Sequence, residues 1–371
     1  MKICLDVRYK TDSGASSYIK NIIPAILRID HDNQYVILKN KNQSFEFEPQ
    51  LDGVWVCPVH SNLLQLVWAT SGLPLLLKKN NIELYHGLKM PGPLWTSSVH
   101  VITMHSIVTS YKGDFPVNLR TKLFIMFYLN LVLHRADYIV AVSNFITDCL
   151  RERHNVSEDR IIVSYHGIES SFEPLPKERE PKSTTYNLPP TYILCVGNVT
   201  RVKNHLTAVR AFAKLADKVT ESLVIAGSTK DPYFLKVRDE ARRSGLSDRV
   251  LFLGFVNRAD LAVLMNGAKI LLFPSLTEGC PVTMLEAFGC GLPVVASKRG
   301  GLWDLGKDTA IFVDDPFNAD AFSKQVLSVL KNEDMRRSLS AKALEHARSF
   351  SWETAAKQHV ALYKNALNSK Q

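Results

Sequence analysis

The sequence predicts an α/β chain built as two doubly wound domains, and three observations carry that reading. Short apolar runs, such as Ile3-Cys4-Leu5-Asp6-Val7 and Tyr192-Ile193-Leu194-Cys195-Val196, alternate with stretches of helical spacing. The alternation stops in a charged, proline-rich stretch over residues 173–190 and then restarts. At 371 residues, the chain is long enough for each half to bury a core of its own.

Composition narrows the class further. Lys and Arg number 45 against 36 Asp and Glu, a formal net charge of +9. Part of that excess lies in residues 60–135, where Lys78, Lys79, Lys89, Lys112, Arg120, Lys122 and Arg135 stand against Glu83 and Asp114. A basic patch of this kind suits anionic lipid or a phosphorylated substrate. No nucleic-acid motif accompanies it, so nucleic acid is not an expected partner. The six cysteines are scattered without paired spacing, the pattern of a reduced, cytoplasmic and metal-free chain. Met1 leads straight into a strand, so no leader peptide is expected. No apolar run approaches the roughly 20 residues of a membrane span. The nearest, Leu123–Leu133, is broken by Asn130 and suits either a buried helix or one that rests on a membrane surface.

In the first half, Ile3–Val7 reads as a strand, Thr11–Ser17 as a small-residue loop around Gly14, and Tyr18–Leu27 as a helix. Gln34–Leu38 and Val54–Pro58 are short strands, and Leu63–Lys79 is a helix expected to break at Gly72 and Pro74. Ile82–His86 and Val99–Met104 are strands. The latter delivers His105 at its carboxyl end, where ligands of parallel sheets sit. Leu119–Arg135 reads as a helix, Ala136–Ser143 as a strand and turn, and Ile161–Ile168 closes the half.

The second half opens on the buried strand Tyr192–Val196. The loop Gly197–Asn204 then carries Arg201 and Lys203 into a helix over His205–Leu215. Ser222–Gly227 and Val250–Gly254 are strands, the second leading through Phe255 and Val256 to a helix around Leu261–Met265. The chain's organising stretch is Phe273-Pro-Ser-Leu-Thr-Glu278-Gly-Cys-Pro281-Val-Thr-Met-Leu-Glu286-Ala-Phe-Gly-Cys-Gly-Leu-Pro-Val-Val-Ala-Ser297. A buried strand over Lys269–Phe273 ends at Pro274, a tight loop holds Glu278, and Val282–Phe288 has helical spacing with Glu286 inside it. Pro281 has no N–H, so the helix N-terminus offers its donors from Val282 and Thr283 onward. Phosphate donors beside two carboxylates fit a ligand with both a diphosphate and vicinal hydroxyls, which describes a nucleotide sugar.

Glu278 and Glu286, with seven residues between them and with Gly-Cys-Gly-Leu-Pro-Val-Val-Ala-Ser from Gly289 on, resemble the signature of the family 4 retaining glycosyltransferases. The likeness runs from about residue 3 to about residue 367, through Ala136-Asp137…Val142-Ser143 and Gly197…Lys203-Asn204. It implies the GT-B fold, with two Rossmann-like domains facing across a cleft and a last helix, from Trp352, returning to the first domain. The implied domains are 1–172 with 352–371, a linker at 173–190, and 191–351.

The resemblance also implies roles. Gly14 would face the donor diphosphate, which Lys203 and Arg201 would neutralise, and His105 would be catalytic. Phe255 and Val256 would hold the base through backbone atoms, Glu278 the sugar hydroxyls and Glu286 the ribose, with Val282 and Thr283 near the phosphates. Three departures stand out: Ser16 where a second glycine is usual, Ser106 where many relatives have Asp, and Asn198 where an Arg is common. The activity implied is transfer of a hexose from a UDP- or GDP-sugar, without metal or other cofactor, to an acceptor sugar or lipid-linked saccharide, in the cytoplasm or on the inner membrane face. The sequence leaves open an epimerase or phosphorylase of related fold and a non-catalytic nucleotide-sugar-binding subunit. It also leaves open the donor, the acceptor and the linkage.

Overall fold

β1 (Lys2–Asp6) shows how the first sheet is assembled. Ile3 and Leu5 face one layer and Cys4 the opposite one, as the two-residue period of a strand requires, and all three are fully buried. A strand apolar on both faces belongs inside a parallel sheet covered on each side. That sheet runs β3-β2-β1-β4-β5-β6-β7, with β2 (Gln34–Lys39), β3 (Gly53–Val56), β4 (Leu84–Gly87), β5 (Val99–Met104), β6 (Tyr138–Ala141) and β7 (Ile161–Val163), each pair parallel. The computed structural model describes residues 1–8, 14–59, 62–89, 92–106, 124–175 and 186–368.

Helix α1 (Gly14–Ile29) packs its Ile19, Ile22, Ile23 and Ile26 on one face of this sheet. Helix α2 (Asn62–Lys79) places Ala69, Leu73 and Leu77 on the other. Phe124–Leu129 winds as a π-helical turn into α3 (Asn130–Arg135), and α4 (Asn144–His154) is capped by Ser143, whose side chain accepts from the Ile146 N–H. The expected last helix is present as α12 (Trp352–Asn368). Its Ala355, Ala356, Leu362 and Tyr363 join the core under α1, so the chain's C-terminal helix belongs to the first unit.

The second sheet has the order β10-β9-β8-β11-β12-β13, all parallel: β8 (Tyr192–Val196), β9 (Ser222–Ala226), β10 (Val250–Gly254), β11 (Ile270–Phe273), β12 (Val294–Ser297) and β13 (Ile311–Val313). Around it lie α5 (His205–Ala213), α6 (Tyr233–Arg243), α7 (Arg258–Gly267), α8 (Val282–Gly289), α9 (Gly300–Gly306), α10 (Ala319–Lys331) and α11 (Glu333–Ala347). Both units are therefore Rossmann-like. Each sheet has a topological switch point beside its first strand, between β1 and β4 in one and between β8 and β11 in the other, where parallel sheets open a ligand crevice.

Several expectations need correction. The helix over 62–79 does not break. Pro74 leaves the Thr70 carbonyl without its helical donor, and Trp95 Nε1–H supplies one at 2.8 Å, so the helix runs through. The loop expected over Thr11–Ser17 is already helical from Gly14, since small residues suit a helix start. Residues 9–13 lie outside the described residues, as do 60–61, 107–123 and therefore much of the basic stretch. The first unit comprises Met1–Gly167 and Ser351–Gln371, the second Ile168–Phe350. Residues 176–185 of the expected linker fall outside the described residues. Its first residues are held to the second unit: the Leu175 N–H reaches Asn266 Oδ1 at 2.8 Å, and Asn266 Nδ2 reaches the Glu173 carbonyl at 3.1 Å.

Candidate functional site

In the second unit, Lys203 and Glu278 meet over the switch point. β8 and β11 are neighbours, so the loops that leave their carboxyl ends lie side by side. Asn204, at φ +54°, turns the chain from the short turn Arg201–Lys203 into α5, and its amide bonds the Pro274 and Pro316 carbonyls at 3.1 and 2.7 Å. The Leu276 N–H bonds the Val202 carbonyl at 2.8 Å. On this frame Lys203 Nζ lies 2.6 Å from Glu278 Oε1 and 5.3 Å from the Phe273 ring centroid. Gly197 has φ +131°, and a Cβ there would come within 3.1 Å of Lys203 Cε. Glycine lets the Lys203 stem lie flat on the loop. Glu278 is fixed from behind, because its carbonyl accepts from the Gly301 N–H at 2.9 Å at the start of α9. Arg201 is exposed at the first position of its turn.

Glu286 sits in α8 and is 2% exposed. Burial pushes its carboxyl up to about 7, against the pull of Arg258, whose Nη1 lies 2.6 Å from Oε1. Arg258 opens α7, three residues beyond Phe255, and so ties the Phe255–Val256 loop to Glu286. Phe255 is 74% exposed, and the two residues follow β10, an edge strand separated from β8 by β9. At the start of α8 the expected donors need correction. The Val282 N–H turns back to the Cys280 carbonyl at 2.9 Å, while those of Met284 and Leu285 both reach the Pro281 carbonyl. Thr283 is then the residue of this first turn whose N–H is suited to a phosphate.

In the first unit, His105 follows β5, and Gly14 begins α1. His105 Nε2 lies 2.8 Å from the Leu88 carbonyl, which accepts only, so Nε2 carries the proton and Nδ1 is the basic atom. A backbone carbonyl thus orients the ring in place of the absent following acid. Tyr18, one turn into α1, sets its ring edge-on to His105 at 4.8 Å between centroids. Burial pulls the imidazole down to about 4, so it is neutral near pH 7. Tyr18 donates to His359 Nε2 at 2.8 Å, because the other ring nitrogen of His359 gives its proton to the Ala355 carbonyl.

The structure therefore joins Lys203 to Glu278 and, through Arg258, joins Glu286 to the Phe255 loop; Gly14 and His105 belong to the other unit. Sequence reading missed Arg258, Leu88 and the buried pair Asp6–Arg8. Arg8 is fully buried, with Nε and Nη2 on the Asp6 carboxylate at 2.9 and 2.5 Å and the Tyr85 hydroxyl adding a third bond at 2.6 Å. Two opposite charges at the end of an otherwise apolar strand were the available signal for that pair. Nothing local marks Arg258. Among the described residues, no group of three or more His, Cys, Asp or Glu is placed to hold a metal ion.

Two Rossmann-like units, the second with Lys203 and Glu278 paired over its switch point, are the frame on which the family match falls. Two family descriptions divide the chain: Glycosyltransferase Family 4 over residues 13–172 and Glycosyl transferases group 1 over residues 176–346. The chain belongs to this family 4, group 1 lineage of glycosyltransferases. It is 29% identical over 247 residues to the O-antigen chain mannosyltransferase B of Escherichia coli, covering 64% of each chain. It is 27% identical over 261 residues to the O-antigen chain mannosyltransferase RfbU of Salmonella typhimurium, covering 68% of each. The match thus spans just under two thirds of the Escherichia coli relative's length. Among solved structures, Anabaena HepE in complex with UDP and glucose superposes with a TM-score of 0.78 at 18% identity, over 98% of this chain and 100% of that one. The GT-B fold is therefore the fold of this chain.

Proposed function

We propose that the chain is a retaining hexosyltransferase that moves a sugar from a UDP- or GDP-sugar to an acceptor hydroxyl during assembly of a cell-surface polysaccharide or glycolipid. The observation that carries the reading is the Lys203–Glu278 pair, held at 2.6 Å at the switch point of the second sheet. A cation and an acid so placed serve the two ends of a sugar diphosphate: Lys203 meets the phosphates, and Glu278 accepts from sugar hydroxyls. As the C1–O bond breaks, charge grows on the leaving diphosphate. Lys203, Arg201 and the Thr283 N–H stabilise it, which makes a divalent ion unnecessary. The acceptor oxygen bonds C1 on the face that the diphosphate leaves, and its proton passes to the departing phosphate. Glu286 holds the ribose, and the Phe255–Val256 backbone meets the base. His105, neutral and with Nδ1 as its basic atom, suits proton exchange with a hydroxyl.

A lipid-linked acceptor agrees with the surface of α2, where Leu64, Val67 and Leu75 are exposed on one face and Lys78 and Lys79 follow. Among the described residues no helix is long and apolar enough to cross a membrane. The names of the two O-antigen relatives favour polysaccharide assembly as the setting. The deciding experiment offers UDP- and GDP-hexoses with saccharide acceptors and reads the product's anomeric coupling by NMR. A product with the donor's configuration supports the proposal. An inverted product, free nucleotide with no acceptor product, or turnover that depends on inorganic phosphate contradicts it.

A further inference from the structure

Arg258 is the residue whose place the reading above leaves unexplained. Each of its three guanidinium nitrogens has a carboxylate partner. Nη2 and Nε go to Glu169, at 2.9 and 3.3 Å, Nη1 goes to Glu286 Oε1 at 2.6 Å, and the plane lies 4.6 Å from the Phe172 ring centroid. A planar fork gripped on two edges and stacked on a ring has one geometry, which a lysine could not reproduce. Asn257 fixes where the fork starts, since its side chain caps α7 by accepting from the Asp260 N–H at 2.9 Å.

We propose that Arg258 is a positioning residue for the donor nucleotide: it pins one oxygen of Glu286 so that the other accepts from a ribose hydroxyl. This rests on the donor-site reading above and extends it to a residue that never touches the sugar. The charged and titratable groups around Glu286 agree with the assignment. Arg258 faces it from α7, Glu169 faces it from the segment ahead of Glu173, and Cys290 lies one turn further along, its thiol pushed up to about 12 by burial. Burial and Glu169 both favour the protonated carboxyl, and Arg258 opposes them. A protonated carboxyl would lose one of its acceptor oxygens to an O–H donor. Removing Arg258 therefore raises the pH at which Glu286 becomes a carboxylate and also frees its rotamer.

The test is calorimetry with UDP, GDP and their 2′,3′-dideoxy counterparts, from pH 6 to pH 9, on the full chain and on Arg258→Ala and Arg258→Lys. The wild type should bind at least one ribonucleotide and lose at least about tenfold in affinity for its dideoxy form. Arg258→Ala should bind the ribonucleotide at least about tenfold more weakly at pH 7, discriminate little against the dideoxy form, and regain affinity as the pH rises. Arg258→Lys should keep only part of the discrimination. A folded Arg258→Ala that discriminates like the wild type, with the same pH midpoint, overturns the proposal. If that variant does not fold, wild-type discrimination by Arg258→Lys overturns it. A wild type that binds a ribonucleotide but treats the dideoxy form equally also overturns it, while leaving the donor site standing. A wild type that binds neither nucleotide removes the donor reading itself, and this inference with it.

Discussion

Replacing Lys203 by Ala should separate catalysis from stability. The Lys203 and Glu278 side chains are 24% and 16% exposed, so their ion pair is reached by solvent and contributes under about 1 kcal/mol to folding. Against a diphosphate leaving group the same ammonium makes a charge-assisted hydrogen bond worth about 1.5–3 kcal/mol. Its share of transition-state stabilisation is comparable to that of one oxyanion donor, about 2.7–4 kcal/mol. At about 1.4 kcal/mol per factor of ten, transfer should fall by roughly 100-fold to 1,000-fold, while the thermal midpoint moves by no more than about 4 °C. Single-turnover transfer and a circular-dichroism melt on the same preparation measure both. A folded variant that transfers within about threefold of the wild-type rate would refute the assignment of Lys203 to the diphosphate.

Three further outcomes follow from the same geometry. His105→Ala should cut turnover at least about tenfold, of order 1.4 kcal/mol, with little change in donor affinity; a variant that loses affinity instead contradicts its catalytic role. Chelation by EDTA should leave transfer largely intact, and loss of activity restored by Mn²⁺ would move the phosphate-neutralising role to an ion. Acid should destabilise the first unit. Burial holds His105 and His359 down at about 4, and His86 and His166 well below the ordinary value. The unfolded chain therefore binds protons first. Stability present above pH 6.5 is lost as the pH falls towards 4, at about 1.4 kcal/mol per pH unit for each ring. A melting midpoint as high at pH 5 as at pH 7.5 would contradict this.

Much of the architecture was legible because parallel strands announce themselves. Tyr192–Val196, Val99–Met104 and Val250–Gly254 are apolar on both faces, and their observed ends coincide with the residues read from sequence. Helix limits were harder wherever a distant donor overrode a local rule, as Trp95 does for Pro74. The acids of the site were legible from their setting in strand, loop and helix. Their partners were not, because Arg258 is 28 residues from Glu286 and 89 from Glu169, and only folding brings them together. Similarly, the orientation of His105 comes from a backbone carbonyl 17 residues away, which leaves no side-chain record.

The central claim is that the second unit holds a nucleotide sugar through Lys203, Glu278 and Glu286. Calorimetry with UDP- and GDP-hexoses on wild type and Glu286→Gln, at pH 6 and pH 8, tests it most directly. Burial sets the Glu286 carboxyl at about 7, so its acceptor form grows across that interval. Donor affinity of the wild type should therefore rise with pH. Glu286→Gln should bind more weakly at pH 8 and show no such rise. Failure of every sugar nucleotide to bind, or a glutamine variant with wild-type affinity and pH response, would contradict the claim.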